Sequence, residues 1–160
     1  MQYVLKNQNE QHPSQDQLEF IEDMGQHMLG WGLPRNTGRI YGYLILRPGP
    51  ASLDEIAAAV GIAKSGVSLA TRQLVHLGLA RGTGERGSRR LLCEALPNLE
   101  AIFAARNAQA LELIERLHQG ARATASSQRR HQLEQLAETM QAFMDLAPQL
   151  LREMRNRRQA

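Results

Sequence analysis

Apolar residues recur at intervals of three and four along most of this chain, and glycine and proline interrupt the pattern. That spacing is typical of amphipathic helices, so a mainly α-helical fold is expected. The first helix is predicted to begin after Ser14, an N-cap with Gln17 at the capping-box position, and to end near Trp31. Its apolar face is wide enough to be covered on two sides, by its own domain and by a second surface.

A second helix is predicted from Pro34, which suits a first helical turn, to Leu46. Gly38 and Gly42 are four residues apart on this helix and therefore share one face. Because glycine has no side chain, another backbone can approach that face closely.

Residues 53–92 predict a helix, a tight turn, a second helix and a β-hairpin, which is the element order of a winged helix-turn-helix. Ser52 and Glu55 form the capping pattern of the first of these helices. Gly61 supplies the turn between the helices, and Gly78 ends the second helix. The four elements are predicted over residues 54–59, 63–76, 79–82 and 89–93.

The second helix of the pair has a small, polar face near its N-terminus, where recognition helices contact base edges. Its opposite, buried stripe is predicted to be Val67, Ala70, Leu74 and Leu77. Residues 60–92 hold six basic residues against one acidic residue, whereas the whole chain carries a net charge of only +3. Positive charge concentrated in this segment indicates contacts with DNA phosphates. The residues predicted to contact DNA are Lys64, Ser65, Ser68, Leu69 and Arg72 on the helix, and Arg86, Arg89 and Arg90 on the hairpin.

Two long helices are predicted after Pro97, joined by a small-residue, serine-rich segment at residues 120–128. The last helix carries apolar residues at alternating steps of three and four from Leu133 to Met154, which is typical of a helix that pairs with another helix. The two helices either pack as a hairpin on the first helix or pair with those of a second subunit, and a symmetric homodimer achieves both. The residues predicted to hold the dimer are Leu18, Leu133, Leu136, Met140, Phe143 and Leu150.

The predicted organisation is a flexible N-terminal arm at residues 1–13, a winged helix-turn-helix domain at 14–96 and a helical dimerisation region at 97–160. The sequence has no apolar run of about 18 residues and no apolar signal core near its start, so a cytoplasmic protein is expected. Five scattered histidines and one cysteine give no metal-ligand spacing, and no nucleophile stands in a recognisable motif with a base. We therefore expect no metal, no cofactor and no enzymatic activity.

Cys93 is the only cysteine, and we expect it to be a buried or half-buried residue on the second strand of the hairpin. The alternative is a redox-sensitive thiolate that Arg89 and Arg90 make reactive.

A glycine-rich break follows the first helix. After it comes a characteristic sequence pattern formed by Pro34, Arg35, Gly38, Arg39, Ile40, Gly42 and Leu44. Together with the winged-helix segment, this pattern resembles the MarR superfamily of transcriptional regulators and, more narrowly, its GbsR-type branch. The resemblance covers about residues 14–120 and implies a homodimeric transcriptional regulator. Some members of the branch respond to choline-like compounds. Trp31, Tyr41 and Tyr43 are the clustered rings that would line such an effector site, and packing in the core is the alternative for them.

The sequence thus predicts a homodimeric, sequence-specific regulator that binds a double-stranded DNA operator. Repression is the expected effect, and control by a small molecule is left open. The competing hypothesis is a winged-helix protein–protein adaptor without sequence-specific DNA binding. The concentration of positive charge in residues 60–92 counts against the adaptor.

Overall fold

The computed structural model describes residues 12–84 and 87–159. These form two compact units that meet in sequence between Asn98 and Leu99. The first unit contains α1 (Gln15–Leu29), α2 (Arg35–Leu46), β1 (Ala51–Ser52), α3 (Leu53–Val60), α4 (Lys64–His76), β2 (Ala80–Gly84) and β3 (Leu91–Ala95), and the second contains α5 (Leu99–Ala123) and α6 (Ser127–Gln159). The described chain is mainly α-helical with a small antiparallel sheet, so the predicted winged helix-turn-helix fold class is confirmed. Of the predicted N-terminal arm, residues 1–11 lie outside the described residues.

Local capping interactions set the beginnings of α1 and α3. At α1, the Gln17 backbone N–H donates to Ser14 Oγ at 3.3 Å, and the Ser14 N–H donates to Gln17 Oε1 at 2.9 Å. Ser52 and Glu55 form the same reciprocal pair at α3, with distances of 2.7 and 3.2 Å. Both predicted capping boxes are therefore present, and each satisfies backbone donors that the first helical turn leaves free. α1 ends at Leu29, two residues before its predicted end near Trp31.

The contact between α1 and α2 depends on the two glycines of α2. A Cβ atom on Gly38 would lie 2.7 Å from the Met24 carbonyl oxygen and 2.9 Å from the Gly25 Cα. At Gly42, a Cβ would lie 3.0 Å from the Met24 Cβ. The predicted close approach of another backbone to this face is thus confirmed. The side chains buried along the contact include Ile21, Met28, Ile40 and Leu44.

The helix pair α3–α4 turns at Gly61, which adopts a left-handed conformation with φ of +65°. Glycine adopts this conformation without the strain that a side chain would cause. α4 buries Val67, Ala70 and Leu74 as predicted, and Thr71 is buried with them. Leu77, predicted for the same stripe, instead follows the helix as its C-cap and is half-buried.

The sheet has three strands in the order β1-β3-β2, one strand more than the predicted two-stranded wing. The added strand β1 pairs Ala51 with Cys93 and Ser52 with Leu92. β3 begins two residues later than predicted, because its hydrogen-bonding partners in β1 and β2 lie opposite residues 91–95. Arg89 and Arg90 consequently stand before the strand, in the connection between β2 and β3.

The second unit is a helical hairpin whose connection covers only residues 124–126. Residues 120–123, predicted as part of the connection, continue α5, and Ser126 Oγ accepts from the Arg129 N–H at 3.3 Å to cap α6. Ile114, Ala121 and Ala137 are the most deeply buried positions near this turn.

The apolar stripe predicted for α6 divides between two levels of exposure. Leu133 and Met140 are half-buried, whereas Leu136, Phe143 and Leu150 are 50%, 76% and 49% exposed. These three exposed residues are seven apart and form one row along the helix, which we call the α6 apolar row. In α1, the predicted dimer residue Leu18 is 36% exposed.

Candidate nucleic-acid interface

The face of α4 that points away from the core carries the residues predicted to contact DNA. Ser65, Leu69 and Arg72 are exposed, and Ser68 is half-buried. Their spacing of three and four places them on one side of the helix, opposite the buried Val67 and its stripe. The structure therefore brings these side chains onto a single surface, with short side chains in the first two turns.

The two cations of this face have weak internal partners. The Lys64 ammonium lies 2.9 Å from Asp54 Oδ1, and both side chains are about three-fifths exposed. The Arg72 Nε donates to the Ser68 carbonyl oxygen at 3.2 Å on the exposed surface. Because exposed ion pairs and hydrogen bonds contribute little net stability, a phosphate or a base can replace either partner at small cost.

α4 begins without the side-chain cap that α1 and α3 have. Its N-cap is Ala63, whose side chain cannot accept a hydrogen bond from the first turn. The N-terminal N–H groups of α4 therefore remain available to a polar or anionic ligand. Ala63 was not among the residues predicted to contact DNA, although the lack of a capping side chain before a helix is visible in the sequence.

One part-buried hydrogen bond holds α4 in position against α2, and a second, buried one lies within α4. Thr37, which is 1% exposed, donates through Oγ1 to Gln73 Oε1 at 2.7 Å. Thr71 donates to the Val67 carbonyl oxygen at 2.9 Å within α4. A buried hydrogen bond is costly to leave unmade, so the Thr37–Gln73 pair limits rotation of α4 about its own axis.

Arg39 joins three helices next to the turn of the helix pair. Its Nε lies 2.6 Å from Glu22 Oε1 in α1, and its Nη2 donates to the Val60 carbonyl oxygen at the end of α3. Arg35 binds the other oxygen of Glu22 at 2.8 Å. This arginine clamp was not predicted as a site. An arginine between glycines in the otherwise apolar run of α2 is the sequence signal for it.

The wing contributes two exposed arginines. Arg89 and Arg90 are exposed between β2 and β3, and neither forms an ion pair with any described residue. Arg81, by contrast, is held across the sheet by an ion pair with Glu94, its register partner on β3. Arg86, also predicted to contact DNA, lies outside the described residues.

The charge of Arg90 contributes to lowering the pKa of Glu55, near the start of α3. The pKa of Glu55 is lowered, first by the hydrogen bond from the Ser52 backbone and to a smaller degree by the charges of Arg47 and Arg90. The capping carboxylate therefore stays ionised near the wing.

Cys93 is buried in β3 with 1% of its surface exposed. Burial and the neighbouring Glu94 carboxylate raise the pKa of its thiol to about 11. The thiol is therefore protonated at neutral pH, and the prediction of a buried residue is confirmed. The charge that acts on the thiol is the Glu94 carboxylate, which raises the pKa, so activation by Arg89 and Arg90 is not supported.

The aromatic residues predicted for an effector site are placed mostly in the core. Tyr41 and Tyr43 are 3% and 6% exposed, and Trp31 is half-buried. The Tyr43 hydroxyl accepts from Arg47 Nη1 at 2.7 Å, and the Arg47 guanidinium carbon lies 5.6 Å from the centre of the Tyr43 ring. The cation near this ring is thus an arginine of the chain itself. Tyr41 and Tyr43 pack in the core, which was the alternative prediction, and do not form an open aromatic cage.

Within residues 12–84 and 87–159, no group of three or more metal-binding side chains is placed to hold an ion. No helix in the same ranges is long and apolar enough to cross a membrane.

The helix pair with its exposed polar face, together with the adjoining three-stranded sheet, defines a winged helix-turn-helix protein. No protein-family model matches the chain. A crystal structure of a transcriptional regulator superposes with a TM-score of 0.69 and 26% identity, covering 88% of this chain and 99% of that one. The chain therefore has the fold of a winged-helix transcriptional regulator.

Curated HTH-type transcriptional regulators are similar in sequence. YvaV of Bacillus subtilis is 31% identical over 75 residues, or 47% of this chain and 42% of YvaV. MmpR5 of Mycobacterium tuberculosis is 32% identical over 84 residues, which are 52% of this chain and 51% of MmpR5. The repressor OpcR of Bacillus subtilis is 29% identical over 71 residues, which are 44% of this chain and 38% of OpcR. The chain spans about half the length of these relatives or less.

Proposed function

We propose that this protein is a sequence-specific regulator of transcription that binds double-stranded DNA as a homodimer. We assign it to the GbsR-type branch of the MarR superfamily, on the pattern from Pro34 to Leu44 and the similarity to HTH-type regulators. The observation that carries the proposal is the exposed face of α4, where Ser65, Leu69 and Arg72 lie together. α4 itself contains no acidic residue to oppose the positive charge of that face, and Asp54 of α3 pairs with Lys64.

The chemistry of the face suits a DNA major groove. Serine side chains are short, so the first two turns of α4 can sit deep enough to reach base edges. The uncapped N–H groups after Ala63 can bind a backbone phosphate. Arg72 can release the Ser68 carbonyl and bind either guanine or a phosphate, and Arg89 and Arg90 supply further phosphate contacts from the wing.

The proposed homodimer rests on the α6 apolar row. A soluble monomer rarely exposes a contiguous row of large apolar side chains, and a symmetric partner would remove it from water. Phe143, at 76% exposed, is the largest contribution to that row. Two subunits would present two α4 helices to half-sites about one turn of DNA apart.

Repression is the regulatory effect we propose, supported by the similarity to OpcR, an HTH-type transcriptional repressor. A dimer bound over two half-sites excludes other proteins from the same DNA. An effector is not part of the proposal, because Tyr41 and Tyr43 are buried and Arg47 already occupies the ring of Tyr43.

Selection of bound sequences from a random pool of DNA duplexes, with the purified full chain, tests the proposal. We expect enrichment of a near-palindrome with half-sites about one DNA turn apart. Arg72→Ala should weaken binding about 5- to 150-fold for each half-site of that operator if Arg72 reads a base, and relax base choice at one position of each half-site. Arg106→Ala, an exposed arginine of α5, is the matched control and should leave operator affinity unchanged. Failure to enrich any sequence would overturn the proposal.

A further inference from the structure

We propose that Leu69 is a specificity-determining residue that reads the 5-methyl group of one thymine in each half-site. The inference rests on the proposed DNA binding and goes beyond it by naming the base and the atom that one side chain recognises. Leu69 is 66% exposed, more than any other large apolar side chain described in the first unit. It stands in the second turn of α4, on the same side as Ser65 and Arg72.

The side chains around Leu69 leave it the most prominent group on the face. Ser65 and Ser68 are short. Lys64 is drawn toward Asp54 on α3, with 2.9 Å between the charged atoms. Arg72 lies back along the helix, where its Nε donates to the Ser68 carbonyl oxygen. An apolar side chain therefore occupies the centre of a surface whose other members are polar or charged.

The major groove contains one apolar group with which such a side chain can pack. Each base edge presents hydrogen-bond donors or acceptors there, and only thymine adds a methyl group. A leucine against guanine, adenine or cytosine would cover polar atoms without bonding to them, which is unfavourable. Against thymine it covers a methyl group instead, so one leucine both favours thymine and opposes the other bases. Charge complementarity between the basic segment and DNA phosphates brings the leucine into the groove.

Replacing single thymines of the selected operator by deoxyuridine tests the inference, because deoxyuridine lacks only the methyl group. With the unmodified full chain, uracil at the sensitive position of one half-site should weaken binding about fourfold, the effect of leaving one methyl group unburied, and uracil at that position in both half-sites about 15-fold. Uracil at the other thymines should change the affinity little. With Leu69→Ala, the same uracil at the sensitive position should cause no further loss, because the partner of the methyl group is gone.

Val75→Ala is the matched control. Val75 is an exposed apolar residue of the same helix, but it lies on a different side from Leu69. This variant should keep the uracil sensitivity of the unmodified protein. Thermal unfolding of both variants checks the fold, and no large change is expected because both side chains are exposed.

The possible failures are distinguishable. If no thymine methyl group affects binding, or if Leu69→Ala keeps the full uracil sensitivity, the role of Leu69 is wrong while the proposed DNA binding stands. If the selection enriches no sequence at all, the proposed function fails and this inference fails with it.

Discussion

Replacing Gly38 by alanine tests the closest contact in the first unit. The added Cβ would lie 2.7 Å from the Met24 carbonyl oxygen, 2.9 Å from the Gly25 Cα and 3.0 Å from the Met28 Cβ. Two of these three atoms belong to the backbone of α1, which cannot rotate away as a flexible side chain can. An ordinary contact begins at 3.4 Å, so α1 would have to move by about 0.7 Å.

Two opposing effects set the size of the loss. Alanine is favoured over glycine inside a helix by about 1 kcal/mol. Overpacking a well-packed contact costs about 1–3 kcal/mol, and contact with a rigid backbone falls at the upper end of that range. We therefore expect a net loss of about 2 kcal/mol in the free energy of unfolding. For a chain of this size, this corresponds to a fall in Tm of about 4–8 °C.

Two further glycines provide graded controls, each measured by urea and thermal unfolding with far-UV circular dichroism. At Gly42, the added Cβ would lie 3.0 Å from the Met24 Cβ and 3.3 Å from the Ile21 Cα, which are longer contacts than those at Gly38, so Gly42→Ala should cost less than Gly38→Ala. At Gly120 in α5, the nearest atom is the Leu133 Cδ1 at 3.5 Å, an ordinary contact. Gly120→Ala should therefore stabilise the protein by up to about 1 kcal/mol.

The order of the three variants in free energy of unfolding tests whether the close contact at Gly38 causes the loss. A Gly38→Ala protein as stable as the parent, or more stable, would refute the reasoning that the backbones of α1 and α2 require this glycine. A loss at Gly120 as large as that at Gly38 would show that loss of a helical glycine, and not the close contact, is responsible.

Three other predictions concern the dimer, the wing and the buried thiol. Phe143→Glu should convert the proposed dimer to a monomer in light scattering, because it places a charge in the α6 apolar row. The control Gln128→Glu, at the start of α6, should remain a dimer. A Phe143→Glu protein that remains a dimer would contradict the role of the α6 apolar row. Arg89→Ala should lower the log–log salt dependence of DNA binding by about two units in fluorescence anisotropy titrations, one for each subunit of the proposed dimer, and an unchanged slope would remove Arg89 from the phosphate contacts. Cys93 should resist iodoacetamide at pH 8 until the protein unfolds. Its unfolded thiol ionises near its ordinary pKa of 9.0, while the folded thiol holds its proton to about 11. Stability should therefore fall as pH rises through this window, and Cys93→Ala should lose that part of the pH dependence.

The helix beginnings and turns were predicted well because they depend on neighbours in sequence. Ser14 and Ser52 each bond a residue three positions later, and Gly61 adopts a backbone conformation that few other residues tolerate. The same holds for the buried stripe of α4, which follows from helical periodicity alone.

The wing was predicted less well because its strands are defined by pairing. β1 has two residues, too few to show an alternating pattern, and it exists only because Ala51 and Ser52 lie opposite β3. The register of β3 likewise follows its partners, which moved the strand to Leu91–Ala95 and left Arg89 and Arg90 in the connection.

The candidate interface was predicted in part from the sequence and was completed by the tertiary structure. The sequence by itself determined which residues share the exposed face of α4, since spacings of three and four return to one side of any helix. Only the tertiary structure decided which partners the charged residues of this region have: Lys64 pairs with Asp54 of α3, and Arg39 of α2 binds both Glu22 and the Val60 carbonyl oxygen. It also decided that the Arg47 guanidinium lies near the Tyr43 ring and that Cys93 pairs with Ala51 of β1. These contacts depend on which helices and strands the folded chain packs together, and periodicity along one element carries no information about the neighbour that it will meet.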